Sequence, residues 1–117
     1  MTSALYSGLS GVLAFSRKIA VSAHNLANVN TDGFKKQRAV LEEAAPQGVR
    51  VRVETIEAAG PRTLDLTEAG ETLVEKSNVD IAEETADLLL ARRFFEASLK
   101  AIETENERLG TLLDVLE

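Results

Sequence analysis

IAEETADLLLARRFFEASLKAIETENERLGTLLDVL, residues 81–116, decides the fold. The run is built from Ala, Leu, Glu, Lys and Arg, the strong helix formers, with no Pro and a single interruption at Gly110. Asp80-Ile81-Ala82-Glu83 has the acid-x-x-Glu order of a capping box, so the helix starts there. At 1.5 Å per residue it reaches about 50–55 Å. Ile81, Thr85, Leu88, Arg92, Phe95, Leu99, Ile102, Asn106, Leu109, Leu113 and Leu116 recur in steps of four and three, the spacing of a coiled-coil seam. One such stripe cannot offset the entropy of ordering so long a helix. The helix needs a partner.

Working outward, the partner is at the other end of the chain. Leu5, Leu9, Val12, Ser16, Ile19, Ala23 and Leu26 show the same steps. Thr2 or Ser3 caps this first helix, which runs to about Asn28. Its first half carries Ser7, Gly8, Ser10, Gly11 and Ala14, and each Gly weakens a helix by about 1 kcal/mol relative to Ala. Such residues are expected where two backbones approach closely. The first helix is shorter and covers only part of the second. The uncovered remainder is where contacts with other subunits are expected. Thr85, Arg92 and Asn106 interrupt the second stripe; they either reach solvent or fix register.

Between the helices lies a small β insert. Asn28 to Gly33 ends the first helix with residues that accept left-handed and turn conformations. Phe34 to Leu41 leaves in an extended or mixed form, and Pro46-Gln47-Gly48 breaks it. Val49 to Glu54 alternates strictly and reads as a half-buried strand. Leu64 and Leu66 mark a second strand, and Thr72 to Val74 a third. The fold class is therefore mainly α: two long terminal helices paired as a coiled coil, with an insert of two or three strands. Residues 1–33 form the first helix and its Asn-rich turn, 34–76 the extended segment and insert, and 77–117 the long helix that pairs with 3–28.

Composition narrows the function. The 117 residues carry a net charge of −6, which opposes nucleic-acid binding. Residues 1–41 carry +4 and residues 75–117 carry −6, so the helical ends attract each other. There is no Cys for a disulfide or a thiolate. No apolar run is long enough to cross a bilayer. Ala4 to Phe15 is apolar, but Arg17-Lys18 follows it instead of preceding it, the wrong polarity for a cleaved signal. His24 is the only His and lacks companions at ligand spacing, so a metal is not expected. The carboxylates at Glu83-Glu84 and Glu103-x-Glu105-x-Glu107 are expected to face solvent. No phosphate loop, nucleophile elbow or HExxH occurs. No enzyme, cofactor or small-molecule substrate is expected.

Two motifs carry a resemblance. Ala4-Leu5, Ser7-Gly8-Leu9 and Asn25-Leu26-Ala27-Asn28-Val29-Asn30-Thr31-Asp32-Gly33-Phe34-Lys35 resemble the N-terminal signature of the flagellar rod and hook family. Ser77-Asn78-Val79-Asp80-Ile81-Ala82-Glu83-Glu84, with Ala91-Arg92-Arg93-Phe94-Phe95-Glu96-Ala97, is similar to the matching C-terminal signature. The resemblance implies family roles for Asn25, Asn28, Asn30, Thr31, Gly33, Phe34, Ser77, Asn78, Asp80, Arg93, Glu96 and Ala97. Within the family, the short insert and the ending Leu109-Gly110-Thr111-Leu112-Leu113-Asp114 are most similar to the proximal rod members; distal rod and hook members carry larger middles. The resemblance implies a structural subunit, exported by the flagellar type III apparatus and stacked with other rod subunits in the periplasm-spanning rod, which transmits torque. Other readings are a stand-alone helical-hairpin adaptor, or a distal-rod or hook-related subunit with a reduced middle.

Overall fold

The computed structural model describes residues 2–117. The order is α1 (Ser3–Ala27), β1 (Gln37–Glu43), β2 (Val49–Thr55), β3 (Arg62–Thr67), β4 (Gly70–Glu75) and α2 (Ile81–Leu116). The Thr2 hydroxyl accepts from the Leu5 N–H at 3.2 Å and caps α1. The Asp80 carboxylate accepts from the Glu83 N–H at 3.1 Å and caps α2. Both caps fall where the sequence places them.

The two helices lie antiparallel. Gly8 faces Ile102, Gly11 faces Ser98, and the Phe15 and Phe94 rings stack at 5.2 Å. A β-carbon on Gly8 would sit 2.7 Å from Ile102 Cγ1, and one on Gly11 2.7 Å from Ser98 Oγ. The glycines are the close approach.

The contact frame differs from the apolar stripes. On α2, Glu84, Leu88, Ala91, Phe95, Ser98, Ile102, Glu105 and Leu109 are half-buried or buried in steps of four and three, with Asp87 and Gly110 half-buried beside them. They share Leu88, Phe95, Ile102 and Leu109 with the stripe, but alternate with Ala91 and Ser98 instead of Arg92 and Leu99. On α1, Gly8, Gly11, Phe15, Lys18, Ser22 and Asn25 take the corresponding places, one residue before the stripe. Leu9, Ile81, Leu99 and Leu113 are exposed, and Leu5, Val12, Ile19 and Leu26 are half-buried at the flank. So the stripes do not interlock. Close packing selects small residues, and a pattern of large apolar ones traces the edge of the contact instead. Thr85, Arg92 and Asn106 are exposed for the same reason.

The insert has four strands, in two separate hairpins, where two or three were expected. β1 and β2 pair antiparallel from Gln37↔Thr55 to Glu43↔Val49. β1 does not alternate in sequence; its pairing with β2 makes it a strand. This hairpin turns Val49, Val51 and Val53 inward against α1. Outside, Arg50 and Arg52 reach Glu42 at 3.2 and 2.8 Å. β3 and β4 pair through Leu64↔Leu73 but pack on no other element among the described residues. Leu64, Leu66 and Leu73 are exposed.

The result is a rod of 80 × 23 × 19 Å, with a radius of gyration of 20.7 Å. A compact chain of this length has about 13 Å. Among the described residues, Ala14, Val21 and Ala91 are the only buried apolar side chains. The exposed surface is 7964 Å², against about 6,200 Å² for a compact monomer of this mass.

Candidate functional site

The two sequence motifs, ending at Lys35 and beginning at Ser77, are separated in the chain by the whole β insert and meet in one hydrogen-bonded junction, where α1 ends and α2 begins. Asn25 is fully buried there. Its carboxamide oxygen accepts from the Gln37 N–H at 2.9 Å, and its nitrogen donates to the Gln37 carbonyl at 2.7 Å. The same nitrogen donates to Glu84 Oε1 at 3.0 Å. One side chain thus pairs with a strand like a backbone and ties α1, β1 and α2 together. Asn78 does the same from the other motif. Its oxygen accepts from the Lys36 N–H at 2.6 Å, and its nitrogen donates to the Ile56 and Ala58 carbonyls at 2.8 and 2.9 Å. The Asn78 N–H donates to the Phe34 carbonyl at 3.3 Å.

The Asn-rich turn locks onto these. Asn28 donates to the His24 carbonyl at 2.9 Å and accepts from the Thr31 hydroxyl at 3.1 Å. Gly33 has φ +70, the left-handed region glycine tolerates, and its N–H donates to the Glu75 carbonyl at 2.9 Å. Phe34 meets His24 edge to face, ring centroids 5.5 Å apart. Ser77 is buried, and its hydroxyl accepts from the Val79 N–H at 3.2 Å. Gly60 sits against the Lys76 carbonyl so closely that a β-carbon would collide with it.

Ion pairs surround the junction. Lys35 binds Glu75, whose carboxylate also accepts from the Gly60 N–H at 3.1 Å. The ammonium, and next the N–H, hold the Glu75 carboxyl below its ordinary range. Lys76 binds Asp65 and reaches Asp32 at 3.0 Å. Lys76 holds the Asp65 carboxyl low, and Asp65 and Asp32 raise Lys76. Lys36 reaches Glu83 at 2.6 Å.

Of the motif residues, Asn25, Asn28, Thr31, Gly33, Phe34, Ser77, Asn78 and Asp80 gather at this junction. Arg93, Glu96 and Ala97 do not; they are exposed farther along α2, where Arg92 and Glu96 pair at 3.1 Å. Asn30 is exposed on the turn. Glu84 and Glu105 are buried, contrary to the expectation that these carboxylates face solvent. Asn25 donates to Glu84, and Arg108 meets Glu105 at 2.7 Å and holds its carboxyl low. Gln37 and Lys36 contribute chiefly backbone groups to the junction, so their side chains left no signal in the sequence. The network joins elements; no three His, Cys, Asp or Glu side chains converge at metal distance among the described residues.

Comparison with known proteins matches both ends. Residues 5–35 match the family described as flagella basal body rod protein. Residues 72–115 match the family described as flagellar basal body rod FlgEFG protein, C-terminal. The chain belongs to the flagellar basal-body rod family. Together the two matched segments cover more than half of it and contain every motif residue of the junction. A relative, the flagellar basal-body rod protein FlgG of Bacillus subtilis (strain 168), is 45% identical over 49 residues. That stretch is 42% of this chain and 19% of the relative.

Proposed function

We propose that this rod-family chain is a structural subunit of the proximal flagellar rod that assembles with further copies and kindred rod subunits. The observation that carries this reading is the imbalance of its surface. The junction is fully satisfied, while the shafts on either side of it are not. The exposed area exceeds that of a compact monomer by about 1,800 Å², close to the about 1,600 Å² of a standard protein interface. Much of the excess is apolar: Leu9, Leu13, Leu99, Leu112, Leu113 and Leu116 are exposed. A chain so built gains its missing burial from neighbours.

On this reading the terminal helices line the rod as coiled coils, and the two hairpins lie outward. The junction keeps each subunit rigid where α1, the insert and α2 meet, which is what transmission of torque requires. Export proceeds through the flagellar type III apparatus, and the working site is the periplasmic part of the basal body. The short insert favours the proximal rod, of the rod protein C type. The likeness to a FlgG protein favours a second reading, a distal-rod or hook-related subunit with a reduced middle. Electron microscopy of basal bodies from cells lacking the gene tests the proposal. A missing or truncated proximal rod is expected. A complete rod and hook in those cells would refute it, and a defect confined to distal structures would select the second reading.

A further inference from the structure

α2 outruns its partner. With Gly8 level with Ile102, the start of α1 is level with about residue 106. The ten residues beyond extend about 15 Å. The contact frame of α2 does not stop there. From Leu109 it continues in the same steps to Leu112 and Leu116, with Leu113 beside them on the flank. Leu113 is 64% exposed and Leu116 83%. The internal helix interface therefore continues onto a surface that has no partner among the described residues. This overhang is acidic: Glu107, Asp114 and Glu117 outweigh Arg108.

A complementary surface lies on the far side of α1. Between α1 and β2 runs a groove of about 350 Å³ with an apolar floor of Tyr6, Leu13, Val49 and Val51 and with Arg17 and Arg50 at its rim. Leu13 is 63% exposed. Arg17 has no carboxylate partner among the described residues, and the Arg50 side chain is 71% exposed. The groove offers what the overhang lacks: apolar burial for one helical turn, with opposite charge at its edge.

We propose that the overhang of α2 in one copy docks in the groove between α1 and β2 of a second copy. Groove and overhang are different surfaces of the same chain. The contact is therefore heterologous, and it leaves a free groove at one end of the pair and a free overhang at the other, so it propagates. The inference rests on the assembly reading above and makes it specific.

The chain contains no Cys, so paired single-Cys variants report the contact cleanly. Mixing the Leu13→Cys and Leu113→Cys full-length chains under mild oxidation should give the mixed disulfide dimer in excess over either homodimer. Reversing charge at the rim (Arg17→Glu with Arg50→Glu) should weaken self-association in sedimentation by about tenfold. Adding Asp114→Lys and Glu117→Lys to the same chain should restore it. Self-association with no Leu13–Leu113 cross-link and no response to charge reversal would overturn this docking mode while leaving the rod reading intact. A chain that stays monomeric at millimolar concentration would also overturn it. The state of the rod in cells lacking the gene then judges the rod reading separately.

Discussion

At the scale of single residues, the junction depends on two asparagines. Asn25→Ala would strand the Gln37 N–H and carbonyl and leave Glu84 buried without its donor. Each buried unsatisfied group costs about 1–3 kcal/mol, so a loss of about 3 kcal/mol is expected in urea unfolding. Asn30→Ala, on the exposed side of the same turn, should stay within about 0.5 kcal/mol. Equal effects would remove the physical distinction between the two asparagines. The motif announced that these asparagines matter, but not what they bind. Their partners are backbone groups of β1 and of the segment after β2, which carry no side-chain signal. The burial of Glu84 was hidden for the same reason: a Glu beside another Glu at a helix start reads as solvated unless its acceptor role for Asn25 is seen.

The ion pairs at the base of the second hairpin give a pH dependence. Glu75 and Asp65 titrate below their ordinary values, held by Lys35 and Lys76. A carboxylate with a lowered folded-state value stabilises fully above its unfolded value, about 4.3 for Glu, and loses that contribution as pH falls through the folded value. Thermal stability should therefore fall on acidification below that range, and Glu75→Gln should be less stable at neutral pH and flatter in its pH profile. A Glu75→Gln profile parallel to that of the parent chain would contradict this origin.

At the scale of elements, the helices were legible and their contact was not. Thr2 and Asp80 mark both starts, and the absence of Pro together with the apolar steps marks the extents. The strand Val49–Thr55 was legible from its alternation; β1 was not, because Gln37 to Glu43 gains its conformation from pairing. The frame of the helix contact was misplaced by a residue on α1, because Gly8, Gly11, Ala91 and Ser98 pack without weighing on an apolar pattern. This separates two substitutions. Ala91 is 1% exposed, so Ala91→Leu should overpack the helix pair at a cost of about 1–3 kcal/mol. Leu99 lies outside the contact and is exposed, so Leu99→Ser should cost the isolated chain less than about 1 kcal/mol. Chemical denaturation of both variants checks the frame; the opposite ranking would return the contact to the apolar stripe.

At the scale of the whole molecule, a satisfied knot joins two unsatisfied shafts. The interior contains little apolar burial, and the end of α2 contains none. On the proposed assembly, neighbouring copies or kindred subunits supply the contacts these extremities lack. The most direct measurement is amide hydrogen exchange of the full-length chain, dilute and again at assembling concentration. Residues 107–116 should exchange freely in the dilute chain and become protected on assembly, while the amide of Gln37, held by Asn25, stays protected in both. Strong protection of residues 107–116 in the dilute monomer, unchanged by concentration, would contradict the account.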